Sequence, residues 1–480
     1  YEEALDAFRA TIADQPDFLL GYWGEAMAHN HPVWQEQDTE AGRAVLQRVP
    51  EPVTATPRER ALFDAVAVLY GEGDKPARDR AYAEAMERLW HTNPDDIEIG
   101  TFYALALLGT VRDEAKDLRT RMRAGAIALK AYYQHPQHPG AAHYTIHAFD
   151  DPDHAILALD AARRYAAIAP AVPHALHMPA HIFVQLGLWA EAAEANQAGW
   201  TASLDWVARK DLPGYLRDYH SLHWLHYVLL QQGRVREAEA ILKRKQADMR
   251  AAIEQETAEP PRPGWAVNRF YPQMAAAIVI ETGGWDAASA WFDDVPGAPE
   301  DAWSQAVAAF TRAMAAARQG SSAIDWHLED LRRLGEQADE QDEFRRTVVR
   351  IWELEARAAS RMVLGEPDEA MPLMQQAVDL VETLPPPSGP PATIKPPHEL
   401  FGELLLEAGR LREARQTFDV ALVRHPNRAA ALLGAARTAD RLGQREHALA
   451  RYRQLLDQWG PADPALPAVQ EARRAINLAP

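Results

Sequence analysis

The sequence predicts an all-α solenoid of about ten helical hairpins. Three observations carry this. Apolar residues recur at helical spacing through nearly every segment, strand-like alternation is missing, and one short turn motif returns along the chain. The motif is a small residue at a turn, an aromatic or aliphatic residue, then an acidic residue and Ala. It stands at Gly187 to Ala192, Gly233 to Ala238, Gly283 to Ala288, Gly365 to Ala370 and Gly409 to Ala414, with Gly443 to Ala448 as a weaker copy. Glycine allows the reversal after each first helix. Ala192, Ala238, Ala370 and Ala414 are small where the two helices of a hairpin cross, and Phe418 and Tyr452 fill the space between hairpins.

Taken in order, Ala4, Phe8 and Pro16 match the second helix of a unit, so the natural chain is expected to extend before Tyr1. Residues 58–94 and 97–130 read as less regular helix pairs. Pro-rich breaks at Glu259 to Gly264 and at Pro385 to Pro397 suggest three parts: 1–257 with the His-rich groove, 265–384, and a C-terminal pair at 395–480. From Gly409 to Gly443 the period is 34 residues. That period, the turn and the closing Pro16 and Pro426 resemble the tetratricopeptide repeat (TPR), whose hairpins stack into a superhelix.

Composition removes several function classes. Lys and Arg number 50 against 69 Asp and Glu, a net charge of −19, which disfavours nucleic acid as a partner. No apolar run approaches the roughly 20 residues that span a bilayer. Cysteine is absent, so thiol catalysis, disulfide frameworks, iron–sulfur clusters and Cys-based zinc sites are excluded. Any metal must be held by nitrogen and oxygen, with Met178 as a soft addition.

Histidine is concentrated: 11 of 18 lie between His135 and His226. Three clusters stand on successive first helices, at His143 and His147, at His174, His177 and His181, and at His220, His223 and His226. Spacings of three, four and seven place side chains on one helical face. Counted back from Gly187 and Gly233, His174, His177, His181, His220 and His223 occupy the repeat positions that face the concave groove, while His226 falls at a packing position. Adjacent helices pack at roughly 8–10 Å, so imidazoles from neighbours can converge on one ion. The expected metal is zinc or copper, with iron as a third choice. Asp150 or Asp151 would serve as carboxylate partner or orienter. Glu399 and Glu403, at groove positions of another first helix, are candidate acid or base groups, and Asp150 is an alternative catalytic base.

Smaller features follow. His135, His138 and His154 read as loop or cap residues, and Glu25, His29 and His31 form a weaker ligand candidate. Trp200, Trp206, Tyr215, Tyr219 and Trp224 read as core before cleft wall. Pro179 should bend its helix beside His181.

The stretches His143 to Asp150, Tyr165 to Pro170 and Pro173 to Phe183 resemble a bacterial family of TPR proteins with motifs of the type HYxIHAxD and PHALHMPxHIF. Similarity continues at Tyr22 to Met27, His398 to Leu405, Pro426 to Arg428 and Gly434 to Arg437, nearly the whole chain. It implies no settled activity. It favours a periplasmic or secreted location over a cytoplasmic one.

Two functions compete. One is a metal-dependent protein, hydrolytic or oxidative, acting on a small-molecule or peptide substrate in the groove. The other is a non-catalytic scaffold that binds a peptide or protein partner there.

Overall fold

Alanine-rich helices, with a glycine at the reversals that carry the turn motif, fold as their spacing dictates. The computed structural model describes residues 1–53, 55–112, 117–254, 267–299, 301–337 and 342–477. The structure is all-α, built of TPR-type helical hairpins. It divides into two compact units, Tyr1–Phe149 and Asp150–Pro480. The expected joint near 257 lies outside the described residues.

In the first unit, helices from Glu2–Asp14 to Pro139–Ala148 pack around a core that includes Tyr22, Val66, Tyr82, Met86 and Tyr103. One irregular element interrupts them. After Leu19–Ala28 the chain makes a two-residue antiparallel ladder, Asn30 opposite Gln37 and His31 opposite Glu36, around the 3-10 turn Pro32–Trp34. No strand was expected here. Pro32 biases His31 away from helix, and the side chain of Gln35 anchors the turn by donating to Val111 O at 3.0 Å.

In the second unit the turn glycines all adopt positive φ, from 65° at Gly187 to 78° at Gly365. Gly187 is required twice over, because a Cβ there would lie 2.4 Å from the Pro426 carbonyl oxygen. The Pro179 bend is present: the helix divides into Pro173–His177 and Pro179–Gln185. The motif at Gly283 departs from the repeat, with two 3-10 turns, Trp285–Ala287 and Ser289–Trp291, in place of a second helix. A second glycine at 284 and the Pro296-Gly297 stop shorten the helix-forming stretch.

The C-terminal hairpins run Pro397–Glu407, Leu411–Arg424, Ala429–Arg441 and Arg445–Gln458. They return onto the His-bearing repeats of the same unit. Trp189 Nε1 donates to Asn427 O at 2.8 Å, Trp459 Nε1 to Gln231 O at 2.9 Å, and Asp463 N to Gly233 O at 3.0 Å. Among the described residues no helix is long and apolar enough to cross a membrane.

Candidate metal centre

The second unit brings His177, His181 and His220 together. His177 ends one half of the bent helix, His181 lies in the other, and His220 opens the next first helix, Tyr219–Gln231, which Asp218 caps by accepting from Ser221 N at 3.0 Å. Each of the three offers a ring nitrogen within 4.8 Å of the other two. The Nε2 atoms of His177 and His181 stand 3.1 Å apart. Ring centroids of His177 and His220 are 4.7 Å apart, and those of His181 and His220 6.2 Å.

The far side of each ring fixes its tautomer. His177 Nδ1 lies 2.7 Å from Asn196 Oδ1, and Asn196 Nδ2 donates to Ala192 O at 2.8 Å, so the amide presents its oxygen to the ring. His181 Nδ1 lies 2.6 Å from Asp150 Oδ2. Both Nδ1 atoms therefore carry the proton in neutral rings, and both Nε2 lone pairs face each other. Two acceptors at this distance repel unless a proton or a cation sits between them. Burial, reinforced by the neighbouring imidazoles, holds His177 and His220 well below the usual histidine range.

One wall of the site is aromatic. Trp224 is 3% exposed, with its ring 4.3 Å from His181, 5.2 Å from His177 and 5.6 Å from His220. It is thus a wall of the site, whereas Trp200 and Tyr219 join Leu222 in a small core cluster. Gln185, 3% exposed, donates from Nε2 to Asp150 Oδ1 at 3.1 Å.

The other expected ligands divide. The ring of His174 is 6.5 Å from that of His177, and burial, reinforced by the neighbouring imidazole of His181, pushes its pKa down to about 3. His223 turns aside to stack on Phe270, with centroids 4.9 Å apart and planes at 11°. His226 is fully buried in packing, as its register implied, and neither ring nitrogen finds a partner among the described residues. Met178 is fully buried in the bend.

His143 and His147 belong to the first unit, on helix Pro139–Ala148. Their Nε2 atoms are 3.0 Å apart, and Trp34 stands edge-on to His147 with centroids 6.2 Å apart. His138 caps that helix, its Nδ1 accepting from Ala141 N at 3.1 Å. His154 hydrogen-bonds Asp151 at 2.8 Å. Glu25 is ion-paired with Arg9 and Arg48, and His31 stacks on Tyr1 at 3.6 Å.

Glu399 and Glu403 are committed to ion pairs. Glu399 accepts from Arg428 at 2.7 and 2.9 Å and from Lys395 at 2.9 Å, and Lys395 also reaches Glu403 at 2.6 Å. Arg428 and Lys395 hold the Glu399 carboxyl below its ordinary range against its burial. Asn196 and Gln185 escaped sequence analysis, and for Trp224 core was preferred to wall. The only signal of the first two was a polar residue at a buried helical position, which spacing cannot aim at a ring.

Comparison with protein-family models gives no match, and neither does comparison with curated proteins. Among solved structures the chain is similar to the human IFIT1 dimer with PPP-AAAA, at 14% identity over 95% of each chain with a TM-score of 0.36. It is also similar to the P58(IPK) TPR domain, at 14% identity over 80% of this chain and 98% of that one with a TM-score of 0.22. A third match is the APC/C hetero-tetramer Cut9–Hcn1, at 11% identity over 88% and 83% with a TM-score of 0.31.

Proposed function

We propose that this chain is a metalloprotein whose second unit holds a transition-metal ion on His177, His181 and His220. One observation carries this: two Nε2 lone pairs 3.1 Å apart, each backed by an acceptor on the other ring nitrogen. Metal–imidazole bonds of about 2.0–2.1 Å give that separation when two ligands subtend about 100° at one ion. The Asp150–His181 bond has the carboxylate–histidine arrangement that orients metal ligands. Three His ligands leave a coordination position for water or substrate, which suits Lewis-acid hydrolysis or one-electron chemistry. The neutral nitrogen donors suit zinc and copper first, then iron. The His143–His147 pair, with Nε2 atoms 3.0 Å apart at i, i+4 spacing, supports a second chelate in the first unit.

No acid–base role goes to Glu399 or Glu403, since their oxygens are engaged by Arg428 and Lys395. Asp150 acts through His181. A peptide-binding scaffold is less well supported for the second unit, because the groove positions His177 and Glu399 are fully buried by its own chain.

Metal analysis and cobalt reconstitution test the proposal. The expected result is near-stoichiometric metal and, with Co(II), a ligand-field spectrum that a His177→Ala/His181→Ala variant loses while keeping its helical circular dichroism. A wild-type chain that takes up no Co(II), Zn(II) or Cu(II) overturns it.

A further inference from the structure

The segment joining helices Pro367–Val381 and Pro397–Glu407 holds Pro385, Pro386, Pro387, Pro390, Pro391 and Pro396. Such a stretch has little conformational freedom to lose, so holding it in one extended course costs little entropy. It is partly buried in the second unit: Gly389, Pro391 and Thr393 to Pro396 are buried, while Ser388 and Ala392 are exposed. One end is pinned by Trp352 Nε1, which donates to Thr393 O at 2.8 Å, and by the Lys395 ion pairs.

The other end meets the histidine site. The same Gln185 amide nitrogen that donates to Asp150 Oδ1 also donates to Pro387 O at 2.5 Å. Asp150 Oδ2 in turn accepts from His181 Nδ1 at 2.6 Å. An unbroken hydrogen-bond path thus runs from the segment's backbone through Gln185 and Asp150 to His181. Two residues on, Gly389 lies against the indole that walls the site. A Cβ there would stand 2.4, 2.7 and 3.1 Å from Trp224 Cζ2, Cη2 and Cε2. Only glycine lets the backbone come this close, and its φ of 143° is one that other residues rarely adopt.

Building on the metal assignment above, we propose that residues 385–396 form a strap whose seating sets the metal affinity of His177, His181 and His220, with Gln185 and Gly389 as positioning residues. Seated, the strap holds Gln185 against Asp150, and Asp150 holds His181 in the tautomer and orientation that present Nε2. Displaced, it frees Gln185 and removes the support behind Trp224. The coupling is reciprocal by linkage, so a bound ion holds the strap down.

The test uses the full chain, Co(II) or Zn(II) alone, and a chromophoric chelator as competitor. Gln185→Leu should weaken metal binding by about 10–100-fold, the usual effect of removing an outer partner. Gly389→Ala should do likewise. In Gly389→Ala/Trp224→Phe the colliding part of the indole is gone, so affinity should recover relative to Gly389→Ala alone. In wild type, metal should slow amide hydrogen exchange at Gly389, Ala392, Thr393 and Ile394, and the Co(II) spectrum of Gln185→Leu should differ from wild type at saturation. Affinities within twofold across the variants, or strap exchange that does not respond to metal in wild type, would overturn the coupling. The exchange experiment needs no variant to fold. A wild type that binds no metal at all instead overturns the parent assignment, and the strap proposal with it.

Discussion

His177 and Glu355 occupy the same place in their repeats, ten residues before the turn glycines Gly187 and Gly365, yet their surroundings make them opposite kinds of residue. His177 finds Asn196 on one nitrogen and His181 across the other. Glu355 is fully buried, and neither carboxylate oxygen has a partner among the described residues. Burial pushes its pKa well above the ordinary value, with Lys395 opposing and Glu403 and Glu399 reinforcing the rise. The sign follows directly. A carboxyl whose folded pKa is raised binds its proton in the folded state, so its contribution is full below the unfolded pKa near 4.5 and is lost as pH rises toward the folded value. Glu355→Gln should therefore stabilise the protein by about 1–3 kcal/mol at pH 7 and by little near pH 4. Denaturant melts at the two pH values check this, and an equal effect at both would contradict it. At the metal site the matching single-residue prediction is Asp150→Asn. If metal binds, the ion should be held about 10–100-fold more weakly, read by chelator competition, because the amide no longer favours the Nδ1–H tautomer of His181 as strongly.

At the scale of elements, Arg428 is the tie of the second unit. It stands just before helix Ala429–Arg441 and bonds Glu399 on Pro397–Glu407, Glu281 on Tyr271–Thr282 at 2.7 Å, and the Tyr227 hydroxyl on Tyr219–Gln231 at 3.0 Å. Arg428, Glu399 and Tyr227 are buried, and the Glu281 side chain is 6% exposed. Arg428→Met would strand the Glu281 carboxylate and leave Glu399 to Lys395 alone, and should cost about 3–5 kcal/mol in urea unfolding. Glu281→Gln added to it should recover part of the loss, since the stranded charge is removed. Helix positions were well anticipated at Gly187, Gly233, Gly365 and Gly409, and at the weaker copy at Gly443, because glycine reversal and alanine crossing are local demands. They failed at Gly283, where the same motif leads into two 3-10 turns, and at Asn30 to Gln37, where Pro32 and a tertiary anchor on Val111 impose a ladder.

For the whole molecule, metal should act as a folding ligand for the unit that binds it. At free metal 100 times Kd the stabilisation is about 2.7 kcal/mol, a shift of a few degrees in the thermal transition, and it should vanish in the His177→Ala/His181→Ala variant. Differential scanning calorimetry with and without Zn(II) reads it.

The amino-acid sequence by itself determined the repeat, the all-helical class and the face on which the histidines gather, because these follow from spacing along one helix. It offered seven imidazoles as ligands without singling out the three that meet. Tertiary structure alone decided that His177, His181 and His220 meet in the second unit and that His223 stacks on Phe270. It also decided that Glu399 neutralises Arg428. Convergence depends on the bend at Pro179 and on acceptors supplied by Asn196 and Asp150, the latter held by Gln185, which also bonds Pro387, 202 residues away. Periodicity reports which way a side chain leaves its helix, but what it meets there is set by packing between distant segments.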